Sequence, residues 1–216
     1  MKKKFISLML FGLLCTGQIH AQYFPVDTLK LNSAFRELQN KPNTPERQKA
    51  FFDAFPRNWN EYIMLFQYYS DKKYDSSMSR LSGEYVDTFE HKLTSIKDSA
   101  YCTKTVSLAL GALLDADAPN ALRDLQHFVM WKKMETMMKV ISGLTDADQM
   151  LYWQFYWSSP FKKEKTVTEY NRLHKLLADR HPKEMKTMEI AFNYFCGKAL
   201  FQSDNHIGGR HFVNEK

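Results

Sequence analysis

Apolar residues recur every three or four positions along most of this chain, a spacing that is typical of amphipathic helices. Only eight glycines and seven prolines punctuate the 216 residues. No Asn-Gly or Asp-Gly pair separates two alternating runs, so the sequence lacks the usual hairpin signals. The pattern therefore predicts an all-α fold.

Capping signals indicate where the helices begin. Thr44 followed by Pro45 predicts a helix that stops near Pro56, and Asn58 with Glu61 forms a capping-box pattern for the next helix. Further helices are predicted over residues 78–93, from Asp98 to Leu114, from Pro119 to Gly143, from Thr145 to Pro160, from Thr166 with its capping partner Glu169 to Leu177, and from Pro182 to Phe201.

Seven or eight amphipathic helices with short connections predict one irregular, orthogonal bundle over residues 44–202. An irregular solenoid is the alternative, but the helices share no signature at a fixed period. Residues 22–43 show little periodicity and are predicted to form an extended arm against the bundle. Residues 203–216, which include Gly208 and Gly209, are predicted to form a flexible tail.

The first 21 residues have the anatomy of a secretory signal peptide. Lys2, Lys3 and Lys4 precede an apolar run over 5–16, and Ala21 provides a small residue at the cleavage site. The run is too short to span a bilayer, which takes roughly 20 apolar residues. We therefore expect export to the periplasm, removal of residues 1–21, and no stable membrane insertion.

Composition indicates a folded domain and gives no support to nucleic-acid binding. The 44% hydrophobic and 14% aromatic fractions argue against disorder. The formal net charge is +6, and the three signal lysines account for half of it. Acidic residues are interspersed among the remaining basic ones, whereas nucleic-acid binders concentrate Lys and Arg on one face.

The three cysteines have different expected fates. Cys15 lies in the signal, and the preceding Leu13 and Leu14 lack the small residue that lipoprotein processing favours, so no lipid anchor is expected. Cys102 and Cys196 could form a disulfide in an oxidising compartment. Both lie among apolar residues, however, and we favour buried free thiols.

No motif in the chain points to catalysis, a metal or a cofactor. The sequence has no Gly-x-Ser-x-Gly elbow and no His-Glu-x-x-His pair. His174, His181 and Asp179 could face one another on a helix, but zinc sites ordinarily combine three or four convergent ligands. We predict no catalytic residue, no metal site and no cofactor.

A group of carboxylates near residue 117 has two interpretations. Asp115 and Asp117 could serve acid–base chemistry or calcium binding, either of which needs a geometry that spacing does not provide. The favoured interpretation is that Asp117 caps the helix entered at Pro119. Both aspartates remain candidates for contact with a partner.

Residues 152–157 are almost continuously aromatic. Trp153 and Trp157 lie one turn apart, and Tyr156 adjoins them. A central helix that packs on two sides would bury all three side chains. The alternative is an exposed patch that binds a protein partner or stacks on a sugar, because Trp and Tyr dominate binding hot spots.

Three stretches resemble an uncharacterised family of small exported helical proteins of Gram-negative gut anaerobes. They are residues 47–66, the run from Leu114 to Asn120, and the run from Tyr152 to Pro160, and together they cover about a third of the chain after the signal. The resemblance implies a periplasmic helical domain without established catalytic residues. It also implies immunity proteins as a function class, because some such exported proteins neutralise toxins delivered by neighbouring cells, including by type VI secretion.

The sequence therefore favours a periplasmic, non-catalytic binding protein, most concretely an immunity protein with a toxin as its partner. One rival is an envelope enzyme that acts on cell-wall or glycan substrates through Asp115, Asp117 or Glu61. The other rival is a structural or accessory envelope protein. An acidic cleft would favour the enzyme, whereas an exposed apolar patch would favour partner binding.

Overall fold

The computed structural model describes residues 26–66, 77–112, 117–158 and 163–197. These residues form ten α-helices and a π-helical turn, without a strand. The helices are α1 (Thr28–Asn40), α2 (Pro45–Ala54), α3 (Trp59–Phe66), α4 (Ser77–Lys92), α5 (Asp98–Ala109), α6 (Asp117–Lys132), α7 (Met134–Ser142), α8 (Asp146–Trp157), α9 (Lys163–Leu177) and α10 (Pro182–Phe192), and the π-helical turn covers Asn193–Gly197.

The predicted all-α class is confirmed, although the helices outnumber the seven or eight expected. One reason is that residues assigned to the arm are helical. Another is that the backbone breaks at Lys133, which separates α6 from α7. The predicted signal peptide over 1–21 and the predicted tail over 203–216 lie outside the described residues.

The expectation of an extended arm over 22–43 is wrong for residues 28–40, which form α1. Asp27 caps this helix, because its Oδ1 accepts a hydrogen bond of 2.9 Å from the backbone N–H of Lys30. Leu31, Ala34 and Leu38 are buried on one side. Their spacing of three and four residues is helical. Three apolar positions among many polar ones are, however, too weak a periodicity to predict a helix.

Helices α2 and α3 begin where the capping signals place them. Pro45 is the first residue of α2, and the helix ends at Ala54, before Pro56. The Oδ1 atom of Asn58 accepts a hydrogen bond of 3.0 Å from the N–H of Glu61 in the first turn of α3. The short helices α2 and α3 thus lie on either side of a proline-containing turn.

Helix α5 lies at the centre of the bundle, where it contacts α3, α6, α7 and α8. The sequence predicted this central position but placed the end of the helix at Leu114. The helix ends at Ala109 because Gly111 adopts a left-handed conformation with φ 78°, a common way for a helix to terminate. Asp98 is the first helical residue rather than the cap.

Helices α8 and α10 pack side by side and run in the same direction. The Lys183 ammonium lies 2.8 Å from the Asp146 carboxylate at their N-terminal ends. At the other ends the rings of Trp157 and Phe192 meet edge to face, with centroids 5.4 Å apart. Thr145 caps α8, as predicted, by accepting a hydrogen bond from the N–H of Asp148.

The start predicted for α9 is wrong. Helix α9 begins at Lys163, so Thr166 and Glu169 lie inside it and do not form a capping box. The Glu169 carboxylate instead reaches toward α6 and α8. The capping pattern predicted the wrong role for Glu169, because its hydrogen-bond partners are distant in sequence.

Two aromatic clusters form much of the core. The first lies among α2, α3, α4 and α5, and the second surrounds α8. Trp59 connects them, since its ring centroid lies 6.3 Å from that of Phe155. The buried rings of the first cluster are Phe51, Phe55, Tyr62, Phe66, Tyr85, Phe89 and Tyr101.

Candidate functional site

The aromatic segment of α8 lies in the core, which contradicts its interpretation as a partner-binding patch. Trp153 and Tyr156 are 0% exposed and Trp157 is 1% exposed. Helices α5, α6 and α10 all contact α8, so several of its faces are covered at once. Leu151, at 42% exposure, marks the open side. The three aromatic candidates therefore cannot form a docking surface in this fold.

The two candidate aspartates have different outcomes. Asp115 lies outside the described residues. Asp117 is the first residue of α6, a position at which a carboxylate interacts favourably with the helix dipole. Its side chain is not part of what the structure describes. Their proposed contact with a partner therefore stays a prediction.

Glu61, the other carboxylate considered for acid–base chemistry, is committed to an ion pair. It accepts hydrogen bonds of 2.8 Å from the backbone N–H and from Nε of Arg57, and a further one from Nη2 of the same residue. Burial on its own raises the pKa of Glu61, but the hydrogen bonds and charge of Arg57 hold that pKa below its usual value. Glu61 is therefore ionised, and its role is to bind Arg57.

A polar cluster that the sequence did not predict is centred on Glu169. The Oε1 atom of Glu169 accepts hydrogen bonds from His127 Nδ1 at 2.9 Å, Trp131 Nε1 at 3.0 Å and the Tyr156 hydroxyl at 2.7 Å. Burial alone raises the pKa of Glu169, but these three donors and the charge of His127 hold it below the usual value. The cluster joins α9 to α6 and α8.

His127 has no ring nitrogen left for catalysis. Its Nε2 atom lies 3.0 Å from the backbone carbonyl of Tyr156, and its Nδ1 faces Glu169. Both neighbours are acceptors, so the arrangement fits a doubly protonated ring that donates two hydrogen bonds. One turn earlier on α6, Arg123 donates to the carbonyl of Ser158 at 3.1 Å. Both cations therefore bind the C-terminal end of α8.

The four-residue spacing of Arg123, His127 and Trp131 on α6 is the only signal in the sequence for this cluster. A shallow cavity of about 440 Å³ adjoins it, lined in part by Trp131, Glu169 and Arg172. The Arg172 guanidinium covers the Trp131 ring at 4.2 Å from its centroid. The Arg172 side chain therefore covers the exposed face of this cluster.

A largely apolar cavity lies between α2 and the turn that leads into α5. It has a volume of about 570 Å³, within the usual range for ligand pockets. Its floor and walls are formed by Pro45, Phe52, Ile96 and Ala100. Four charged side chains also line this cavity, namely Glu46, Lys49, Asp53 and Lys97.

A second cavity of about 470 Å³ adjoins the first, and Phe52 and Ala100 line both. This polar end is further lined by Arg57, Ser99, Thr103, Lys104 and Ser107. We refer to the apolar and polar ends together as the α2–α5 groove.

Lys104 lies beneath the polar end of the α2–α5 groove. Its Nζ donates hydrogen bonds to the carbonyls of Phe52 and of Phe55, the latter at 3.0 Å, and lies 4.3 Å from the centroid of the Phe52 ring. Burial lowers the pKa of Lys104 to about 8, although Asp53 and Glu61 oppose the shift. Lys104 thus stabilises the C-terminal end of α2 and brings a cation to the groove.

Metal and membrane chemistry find no support among the described residues. No group of three or more His, Cys, Asp or Glu side chains in those ranges could hold a metal ion. His174 packs near Tyr170, with ring centroids 5.7 Å apart, and His181 precedes α10. Within the same ranges, every helix is too short or too polar to cross a bilayer.

The expectation that Cys102 and Cys196 are buried thiols rather than a disulfide is confirmed, because both are buried and neither forms a disulfide. Burial raises the pKa of Cys102 to about 11, so its thiol is a poor nucleophile at neutral pH.

No protein family, curated protein or solved structure matches this chain in comparisons of sequence and fold. The family resemblance noted from residues 47–66, 114–120 and 152–160 therefore stays a prediction. Any assignment of function depends on the geometry of the sites described above.

Proposed function

We propose that this chain is an exported, non-catalytic binding protein, most concretely an immunity protein that neutralises a toxin delivered by neighbouring bacteria. The observation that supports it best is the α2–α5 groove. Its apolar end is lined by Phe52, Ile96 and Ala100 together with charged side chains, and apolar contact area combined with polar and charged groups is usual for a protein interface.

Two further observations favour binding over catalysis. The His–Glu pair at His127 and Glu169 has both ring nitrogens engaged. Glu61 is held by Arg57. General acid–base catalysis needs a group within reach of a substrate proton. The carboxylates of Glu61 and Glu169 are instead engaged by partners within the protein.

The place of action follows from the signal-like first 21 residues. Lys2 to Lys4, the apolar run and Ala21 support export to the periplasm. A periplasmic immunity protein would meet an incoming toxin before the toxin reaches its target. The partner is therefore a protein delivered to, or active in, the envelope.

The first prediction tests docking at the groove. Ala100 is exposed and lines both cavities, so Ala100→Arg fills the groove without entering the core. In cells that produce a toxin encoded beside this gene, we expect the unaltered chain to protect and Ala100→Arg to lose protection. Truncating or blocking a binding hot spot typically costs about 2 kcal/mol or more, which is roughly a thirtyfold loss of affinity.

Ala147→Arg is the matched control, because Ala147 is an exposed alanine in the first turn of another helix, α8. Both variants should melt within a few degrees of the unaltered chain. Equal protection by Ala100→Arg and Ala147→Arg would place the interface elsewhere. Absence of protection by the unaltered chain would contradict the immunity role itself.

A further inference from the structure

The polar end of the α2–α5 groove presents positive charge without a carboxylate in its lining. Arg57 and Lys104 both line it, and no Asp or Glu is among the residues that do so. The Lys104 ammonium is fixed by two carbonyls at the end of α2. The cation is therefore held in place before any ligand arrives.

Arg57 is also preorganised and keeps donors free. Glu61 engages its Nε and Nη2 atoms, so the guanidinium is held in one orientation. Within the described residues Nη1 makes no hydrogen bond, and the side chain is 64% exposed. The two N–H donors of Nη1 therefore remain for an acceptor outside the chain.

Hydroxyl groups complete this end of the groove. Ser99, Thr103 and Ser107 are spaced four residues apart along one face of α5 and all line the cavity. Among described residues their hydroxyls have no hydrogen-bond partner. Guanidinium, ammonium and hydroxyl donors around one cavity are suited to a carboxylate, because charge-assisted hydrogen bonds are stronger than neutral ones.

We propose that the α2–α5 groove binds an acidic, partly apolar segment of the partner protein. An aliphatic or aromatic side chain enters the apolar end beside Phe52 and Ile96, and an Asp or Glu carboxylate is held at the polar end by Arg57, Lys104 and the α5 hydroxyls. This inference rests on the proposed function, since it names the part of the partner that the groove recognises.

The buried position of Lys104 gives this recognition a pH dependence. The groups that face it are Asp53, Glu61, Arg57 and Lys49. Because burial lowers the pKa of Lys104 to about 8, the ammonium loses its proton in mildly alkaline solution, while Arg57 stays charged. Affinity for a carboxylate should therefore fall as the pH rises through about 8.

Two peptides that differ only in charge test the inference. The probes are acetyl-Phe-Leu-Glu-Glu-amide and acetyl-Phe-Leu-Gln-Gln-amide, titrated into the nitrogen-15-labelled chain that lacks residues 1–21. We expect saturable amide shifts in α2 and α5 and an affinity about tenfold higher for the Glu peptide at pH 7, as one charge-assisted contact provides. The preference should shrink at pH 9.

Thr103→Glu and Thr103→Gln form a matched pair of variants. Thr103 is exposed on α5, so neither change disturbs the core, but the Glu side chain places a competing carboxylate in the polar end. We expect Thr103→Glu to lose the preference for the Glu peptide and Thr103→Gln to keep it. Equal behaviour of the two variants, equal affinity for the two peptides, or no saturable shift with the Glu peptide would each overturn the inference.

Failure of the inference and failure of the proposed function give different results. A chain that discriminates between the peptides but protects against no toxin contradicts the immunity role and supports the chemistry of the groove. A chain that protects, loses protection with Ala100→Arg and treats both peptides alike contradicts only the acidic-segment inference.

Discussion

Cationic side chains of one helix bind the C-terminal end of another helix that is distant in sequence. Lys104 of α5 binds the last carbonyls of α2. Arg123 and His127 of α6 do the same at the end of α8. The last carbonyls of a helix have no partner within it and carry partial negative charge. Each cation therefore satisfies acceptors that would otherwise be buried without partners.

The residue-scale prediction concerns Trp153, which is completely buried. Trp153→Ala should lower the free energy of unfolding by about 3–5 kcal/mol, because a large aromatic side chain leaves a cavity that the helices around α8 cannot close. Leu151→Ala is the control on the same helix, and because Leu151 is partly exposed its cost should stay below about 1 kcal/mol. Urea unfolding followed by tryptophan fluorescence and circular dichroism gives both values, and a small loss for Trp153→Ala would contradict the burial.

At the scale of elements, α9 is joined to the bundle by one carboxylate as well as by apolar packing. Leu173 and Leu177 are its buried apolar residues, whereas Glu169 binds partners on α6 and α8. A helix with few buried apolar residues depends strongly on such polar contacts. We therefore expect the position of α9 to respond to the charge of Glu169.

Glu169→Gln keeps the shape of the side chain and removes its charge. Because the pKa of Glu169 is held below its ordinary value of 4.5 in the folded protein, its ionised form stabilises the fold above that pH, and the stabilisation is lost as the pH falls through the lowered pKa. Glu169→Gln should therefore cost about 1–2 kcal/mol at pH 7, and much less in acid.

Hydrogen exchange provides the element-level measurement of that change. The amides of α9 should exchange faster in Glu169→Gln, while those of α5 change little. Glu164→Gln, a change at an exposed residue of the same helix, should leave both unaffected. Equal acid sensitivity of Glu169→Gln and the unaltered chain would show that the Glu169 charge does not stabilise α9.

At the scale of the whole molecule, one hydrophobic core holds the described helices together. The two aromatic clusters meet at Trp59 and Phe155, and neither Cys102 nor Cys196 forms a disulfide. A chain of this length buries enough apolar surface to fold without covalent or metal cross-links. The bundle should therefore unfold as one unit.

The whole-molecule prediction is a helical circular dichroism spectrum and a single cooperative thermal transition. Addition of EDTA should leave both unchanged, and so should a reducing agent. Cys102 and Cys196 should react slowly with an alkylating reagent until the chain is unfolded, because both are buried. A spectrum dominated by strand, or a melting temperature that falls with EDTA, would contradict this prediction.

The sequence by itself determined the fold class and many helix ends. The spacing of apolar residues and the local signals at Pro45, Asn58, Thr145 and Pro182 are properties of short segments, and the helices begin there. It also indicated that α5 is central and that the cysteines are buried. Such features depend on residues within a few positions of one another, so they can be read without knowing the tertiary structure.

Only the tertiary structure decided which helix faces are covered and which charged groups meet. The spacing of Trp153 and Trp157 is compatible with an exposed patch, but contacts of α8 with α5, α6 and α10 bury both side chains. Glu169 looked like a cap, but its partners on α6 lie about 40 positions away in the chain. Lys104 gave no signal, because the carbonyls it binds lie about 50 residues earlier. Periodicity records which positions are apolar, whereas burial and pairing depend on contacts between segments that the local sequence does not specify.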